Sequence, residues 1–215
     1  MRYYEVNGVR LPSVTTILSA TKPKSTEDAL DRWKNRIGVE VAQEKFLSAC
    51  ARGTAMHNLC EAYLLDRELG EITDHVKPYW ASIKPTLSQI TDVQMTEQRV
   101  HHLPLKYSGC LDCYATFRGV ENTLIDFKSS DKPKLISKGY ITDYCLQVVA
   151  YSAAVKELFD IKTNQAAIII GIHNHKAQVF VLTRELMLIY WQLWLKRVEQ
   201  FYSKTYDDSI KVMVK

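Results

Sequence analysis

The stretch "TLIDFKSS" runs from Thr123 to Ser130. Its composition is that of a strand, yet Asp126 and Lys128 stand two residues apart within it. Alternate side chains of a strand share a face, so these two project together while Thr123, Ile125 and Phe127 take the other side. Upstream, "KYSGCLDCYATF" reads as a second strand, with a turn at Arg118-Gly119. A hairpin turning at Gly119 sets Asp112 opposite Asp126. The spacing then groups Leu111, Cys113, Ala115 and Phe117 with Ile125 and Phe127, and Asp112 with Asp126 and Lys128. Cross-strand partners have Cβ atoms about 5 Å apart. Two ionised carboxylates that close repel each other, and a bound divalent cation removes the penalty. The same three residues also suit a solvated hairpin face carrying an Asp–Lys ion pair.

Other residues bear on that choice. His57 lies in the apolar "GTAMHNLCEAYL", with Glu61 one helical turn later. Gln147 and Tyr151 stand at i and i+4 of the otherwise apolar "YCLQVVAYSAA" and need polar partners, which a site or the backbone could supply. Glu97 lies one strand earlier. A turn at Pro104-Leu105 brings it near Asp112, although that strand alternates poorly.

The rest of the chain frames these residues. Its 215 residues, 47% apolar and 24% charged, are those of a soluble globular protein with one sizeable core. The net charge of +4 permits a polyanionic partner without demanding one. Five cysteines without a preceding secretory signal predict reduced thiols in an intracellular protein. Cys110 and Cys113, spaced CxxC, lack a second pair and read as small packing residues. The apolar "ELMLIYWQLWLKR" is too short for a membrane span.

The chain opens with extended pieces around Asn7-Gly8. Ser25 and Asp28 resemble a capping box for a helix through Trp33. Further helices are expected over 39–50, from Arg52 onward with Thr54 as N-cap, and between Asp74 and Ile90. From Asp92 come three strands, then a helix over 141–159, strands at "QAAIIIGI" and "AQVFVL", and a helix over 184–202. This order predicts an α/β or α+β fold with a mixed sheet flanked by helices. Residues 1–215 form one domain in this reading, with a mostly helical region over 1–91 and the sheet over 92–215.

Taken in order, "RGTAMHNLCEAYL", "TEQRV", "GCLDC", "LIDFKSS" and "LQVVAY" resemble the PD-(D/E)XK nuclease superfamily, and within it the RecB-like exonuclease branch. "RLPSVTTIL" and "DRWKNRIG" look like the N-terminal part of its phage and bacterial members. The resemblance implies a restriction-endonuclease-like core. It assigns metal ligation to His57, Asp112, Asp126 and the Phe127 carbonyl, with Glu97 as a further acidic position. It makes Lys128 the catalytic lysine and places Gln147 and Tyr151 as the glutamine–tyrosine motif that helps hold substrate. Asp126 stands where many relatives carry Glu. No cysteine follows Cys145, so the iron–sulfur cluster of some relatives is not expected.

Such a site acts on a phosphodiester with Mg2+, or Mn2+ in its place. Lys132, Lys134 and Lys138 follow the strand, and Lys22 and Lys24 lie in an N-terminal loop. They suit salt-dependent phosphate contacts, or simply a solvated surface. The expected function is a metal-dependent DNA exonuclease acting on single strands or free ends in replication, recombination or repair, in a bacterium or phage-infected cell. A structure-specific endonuclease and a non-cutting nucleic-acid-binding protein are the alternatives.

Overall fold

In the computed structural model of the chain, residues 1–136 and 139–213 are described, with side chains as far as Lys204. Lys138 therefore lies outside the described residues. Two short strands, β1 (Tyr3–Val6) and β2 (Val9–Pro12), pair through the expected Asn7-Gly8 turn, whose residues both take positive φ. Ser13 then caps α1 (Val14–Ala20) by accepting the Thr16 amide, a short helix that its β-branched sequence concealed.

Two helix boundaries differ from the sequence reading. Helix α2 spans Lys24–Ile37 and starts from Pro23 with no side-chain cap, so Ser25 and Asp28 form no capping box. The helices expected on either side of Arg52 are one, α3 (Val39–Leu64). Thr54 is not an N-cap; its hydroxyl donates back to the Cys50 carbonyl inside the helix. Gly53 weakens a helix locally without stopping it when the flanking turns pack. Helix α4 (Lys77–Leu87) follows, with Pro85 in its last turn.

Strands β3 (Ile90–His102), β4 (Tyr107–Phe117), β5 (Val120–Ser130), β6 (Gln165–Ile172) and β7 (Gln178–Leu182) form one sheet in that order. Only β5 and β6 run parallel among these neighbours, joined through the crossover helix α5 (Thr142–Phe159). Helix α6 (Arg184–Met213) ends the described chain. No helix among the described residues is long and apolar enough to cross a membrane. The mixed sheet flanked by helices is the fold expected.

Each face of the sheet has its own core. On one side, α1, α5 and α6 pack on Tyr114, Leu124, Ile168 and Ile170. On the other, α3 and α4 pack on Cys113, Ala115, Phe117, Ile125, Phe127 and Ile169. Burial on both faces explains why β6 is apolar almost throughout. Trp194 is fully buried and Trp191 half-buried on α6, whereas Leu188 and Ile189 face outward.

The hairpin register matches the one read from Gly119: Cys113 pairs with Ile125 and Tyr114 with Leu124. Beyond Cys113 and Ile125 the two strands no longer pair with each other. Strand β4 continues against β3, and β5 against β6. A fork thus opens at Asp112 and Asp126. Here one expectation fails. Leu111 does not join Cys113 but packs in the core on the α5 side. Opposite this break, Glu97 has a φ of 44° in mid-strand, between the in-register pairs Thr96–Cys113 and Gln98–Leu111. A left-handed residue reverses the strand's alternation locally, so period-two reading cannot be carried through it.

Helix α4 approaches β6 closely at Gly171, where an added Cβ would lie 2.8 Å from the Tyr79 carbonyl oxygen. We expect Gly171→Ala to cost about 1–3 kcal/mol, as overpacking does. Urea unfolding would measure it, and an unchanged midpoint would contradict the close contact.

Candidate active site

The fork between β4 and β5 gathers groups from both faces of the sheet. Helix α3 carries His57 to its edge. His57 Nδ1 lies 3.4 Å from Glu97 Oε1 and 3.4 Å from Asp112 Oδ1. One ligand atom from each of the three falls within 4.8 Å of the others. Glu97 was the least supported acid by strand periodicity, yet its left-handed backbone brings it into this cluster. An observed outlier of this kind costs roughly 1–3 kcal/mol and clusters at functional sites.

Asp112 is buried, and its Oδ2 accepts the Phe127 amide at 2.7 Å. The carboxylate thereby serves the backbone where the ladder has stopped. Burial pushes Asp112 up to about 6, with the Asp126 carboxylate adding to the shift and His57 and Lys128 opposing it. Burial disfavours a charge on His57, but Asp112 and Glu97 outweigh it and raise its pKa. The Glu97 carboxyl is lowered, chiefly by its hydrogen bond with His57.

Asp126 is buried beside this cluster rather than within it. Its Oδ2 stands 2.6 Å from Lys128 Nζ, at angles that make an ion pair but no hydrogen bond, and its Oδ1 has no hydrogen-bond partner among the described residues. Burial works against the charge on Lys128, and Asp126 then Asp112 more than restore it. The ammonium also reaches the Phe127 carbonyl at 3.4 Å, so that oxygen opens toward the same space. The Asp–Lys ion pair admitted by the sequence is therefore present, with Asp126 buried and Lys128 half-buried rather than on a solvated face.

Helix α5 closes the other side. Gln147 Nε2 donates to the Tyr151 hydroxyl at 3.3 Å. Tyr151 is pushed well up, by burial first and then by Asp112 and Asp126. Its ring lies over Gly109, where a Cβ would come within 2.5 Å. The two motif residues thus pair with each other against the carboxylates.

The basic loop residues stand apart from this cluster. Lys132 is exposed. Lys134 is half-buried, its backbone held by Gln178, with its ammonium 6.0 Å from the Tyr140 ring centroid. Cys113 is buried in the core, whereas Cys110 is half-buried and its thiol donates to Glu97 Oε2 at 3.5 Å; burial, then nearby carboxylates, push both thiols up to about 12.

Two neighbours escaped the sequence reading. Tyr144 sits over Lys128, 5.5 Å from Nζ to the ring centroid. Its signal was available, since Tyr144, Gln147 and Tyr151 follow at i, i+3 and i+7 on one helical stripe. Arg52, buried at 8% exposure, lies beneath the end of β5. It opens the stretch "RGTAMHNLCEAYL", but nothing in its spacing points to its partners.

The donor set fits a hard divalent cation. It offers three carboxylates and an imidazole, two of the acids are buried together, and one buried oxygen lacks a partner. Cation charge would offset the mutual penalty of Asp112 and Asp126.

No family model matches the chain. Three curated relatives do, each a protein named mitochondrial genome maintenance exonuclease 1. The mouse protein is 35% identical over 204 residues, the Xenopus tropicalis protein 31% over 212, and the human protein 30% over 211. These alignments take in 90%, 94% and 94% of this chain. The chain spans about three fifths of the relatives' length, at 60%, 60% and 61%. A Eubacterium rectale crystal structure covers 73% of this chain and 68% of its own at 12% identity and a TM-score of 0.48, too loose a likeness to build on. Across nine-tenths of its length the chain is thus similar in sequence to proteins named as exonucleases.

Proposed function

We propose that the protein is a divalent-metal-dependent deoxyribonuclease that degrades single-stranded DNA from free ends, with residues 1–215 working as one catalytic unit. The observation that carries this reading is the fork itself. There His57, Glu97 and Asp112 cluster beside the buried Asp126 and its ion pair with Lys128, on strands and helices bearing the family's motifs. The relatives' name points the same way.

His57, Glu97, Asp112, Asp126 and the Phe127 carbonyl would hold Mg2+, or Mn2+ in its place. When bound, such an ion supplies Lewis-acid polarisation of a phosphoryl oxygen and lowers the pKa of a coordinated water. The protein's own groups do the positioning. An ammonium has three donors. With its ammonium paired to Asp126 and donating to the Phe127 carbonyl, Lys128 would turn a remaining N–H toward the attacking water or a non-bridging phosphate oxygen. The Tyr144 ring limits where that ammonium can swing. Gln147 and Tyr151 border the carboxylates and would orient the strand. Water attacks phosphorus and gives up a proton to solvent. The bond to one ester oxygen breaks with its electron pair leaving on that oxygen, which takes up a proton to become a hydroxyl, and the charge forming on the phosphate meets Lys128.

Lys132, Lys134 and Lys138 follow the strand of Lys128 in sequence and would pair with backbone phosphates. Upstream of His57 on the same helix, Phe46 and Leu47 are exposed. They offer stacking and apolar surface to unpaired bases, which a duplex keeps inside.

Asp126→Asn and Lys128→Ala should each lower cleavage by at least about a hundredfold, in line with losses of positioned electrostatic groups. Circular dichroism should show both folded, and near-normal turnover by either would remove these residues from the chemistry. Excess chelator should stop cleavage, and Mg2+ or Mn2+ should restore it. Ca2+ should support DNA binding with little cutting, because its looser coordination positions water poorly. Linear single strands should be degraded quickly, blunt duplex slowly and closed single-stranded circles hardly at all. Equal initial rates on circles and linear strands would favour the endonuclease reading instead.

A further inference from the structure

We infer that Arg52 is a positioning residue that locks the helix carrying His57 to the strand carrying Lys128, and so sets the geometry of the metal-binding fork. The inference rests on the nuclease reading for its activity test, but not for its binding test. Arg52 is a buried charge on α3. Its Nε donates to Ser129 Oγ at 3.1 Å, and its Nη1 lies 3.2 Å from Asp131 Oδ1. The guanidinium carbon stands 4.4 Å from the centroid of the Tyr79 ring. Tyr79 in turn donates to the same Asp131 oxygen at 2.5 Å. Beneath it, Gly171 leaves room for the Tyr79 backbone, and the His173 ring lies 5.4 Å from the Tyr79 ring.

One guanidinium thus gathers α3, α4 and the end of β5, with the end of β6 against the same tyrosine. Its planar fork suits this role, because it makes two directed contacts in fixed geometry while stacking on an aromatic face. Its placement along the chain gives it leverage. His57 follows five residues later, about 7.5 Å further along the helix axis. Ser129 directly follows Lys128. The two halves of the site, one borne by α3 and the other by β5, meet across the fork without a ladder to hold them. Among the described residues Arg52 makes no hydrogen bond or ion pair with His57, Glu97, Asp112, Asp126 or Lys128, so its effect must pass through the elements it joins.

The test compares wild type with Arg52→Ala, Arg52→Lys, Ser129→Ala and the double variant. Mn2+ affinity is read by calorimetry, and kcat and KM on a labelled linear oligonucleotide. Arg52→Ala should lower kcat about 10- to 100-fold with KM nearly unchanged, as expected of misplaced groups. Its Mn2+ Kd should rise about tenfold, the scale seen for residues that orient ligands. Arg52→Lys should recover part of both. Adding Ser129→Ala to Arg52→Ala should cost nothing further, because both cut the same link. Retention of kcat and Mn2+ affinity by folded Arg52→Ala, or full additivity in the double variant, would overturn the inference. If Arg52→Ala does not fold, Ser129→Ala and Asp131→Asn decide instead. A joint loss supports the lock, and unchanged values end it. Wild type that binds Mn2+ without cutting DNA would defeat the nuclease reading alone, and the lock would be judged on Mn2+ affinity.

Discussion

The hydrogen bond from the Phe127 amide to the Asp112 carboxylate marks the point on which this structure turns. A strand that leaves its neighbour strands its backbone groups, and a buried amide without a partner is costly. Asp112 answers that need and lets β4 and β5 part without an orphaned donor. The gap so made is flanked by α3 on one face and α5 on the other. Side chains from four elements can then meet: His57 from α3, Glu97 from β3, Asp112 from β4, and Asp126 with Lys128 from β5. Parallel pairing with β6 keeps β5 straight along the far side, with Asp126 and Lys128 in register against Ile168 and Ile170.

This arrangement is poor for stability and suited to chemistry. Two carboxylates are buried near each other, and Asp112 is held well above the ordinary carboxylate range. Lys128 and His57 compensate only in part, since Asp126 keeps an unpartnered oxygen. Glu97 adds backbone strain. A sequence shaped for stability alone would replace such groups with apolar ones. Retaining them is consistent with a role that needs concentrated negative charge in a restricted space.

The buried layer around the fork has a second tier. Tyr144 limits Lys128 from above, and Tyr151 packs on Gly109 so closely that no side chain would fit there. Arg52 gathers the ends of the elements beneath. A precise site needs supports of this kind, because chemistry tolerates errors of well under an ångström.

Much of this was legible from local pattern. Alternation placed Asp126 with Lys128, the turn at Gly119 set the hairpin register, and a 3.6-residue stripe aligned Gln147 with Tyr151. Each of these depends on the geometry of one strand, one turn or one helix, and that geometry repeats wherever the residues allow it. What the tertiary structure decided lay where local rules break or compete. Packing on both sides carried α3 through Gly53, where glycine suggested a stop. The left-handed Glu97 reversed the alternation of β3 and brought its own carboxylate to His57, while across the ladder Leu111 packed on the α5 side. Asp126 turned toward Lys128 instead of joining the His57 cluster, a choice set by burial and charge. Arg52 found its partners 77 and 79 residues away in sequence, at Ser129 and Asp131. Contacts at that separation leave no period in the chain to read, because only the folded sheet brings their ends together.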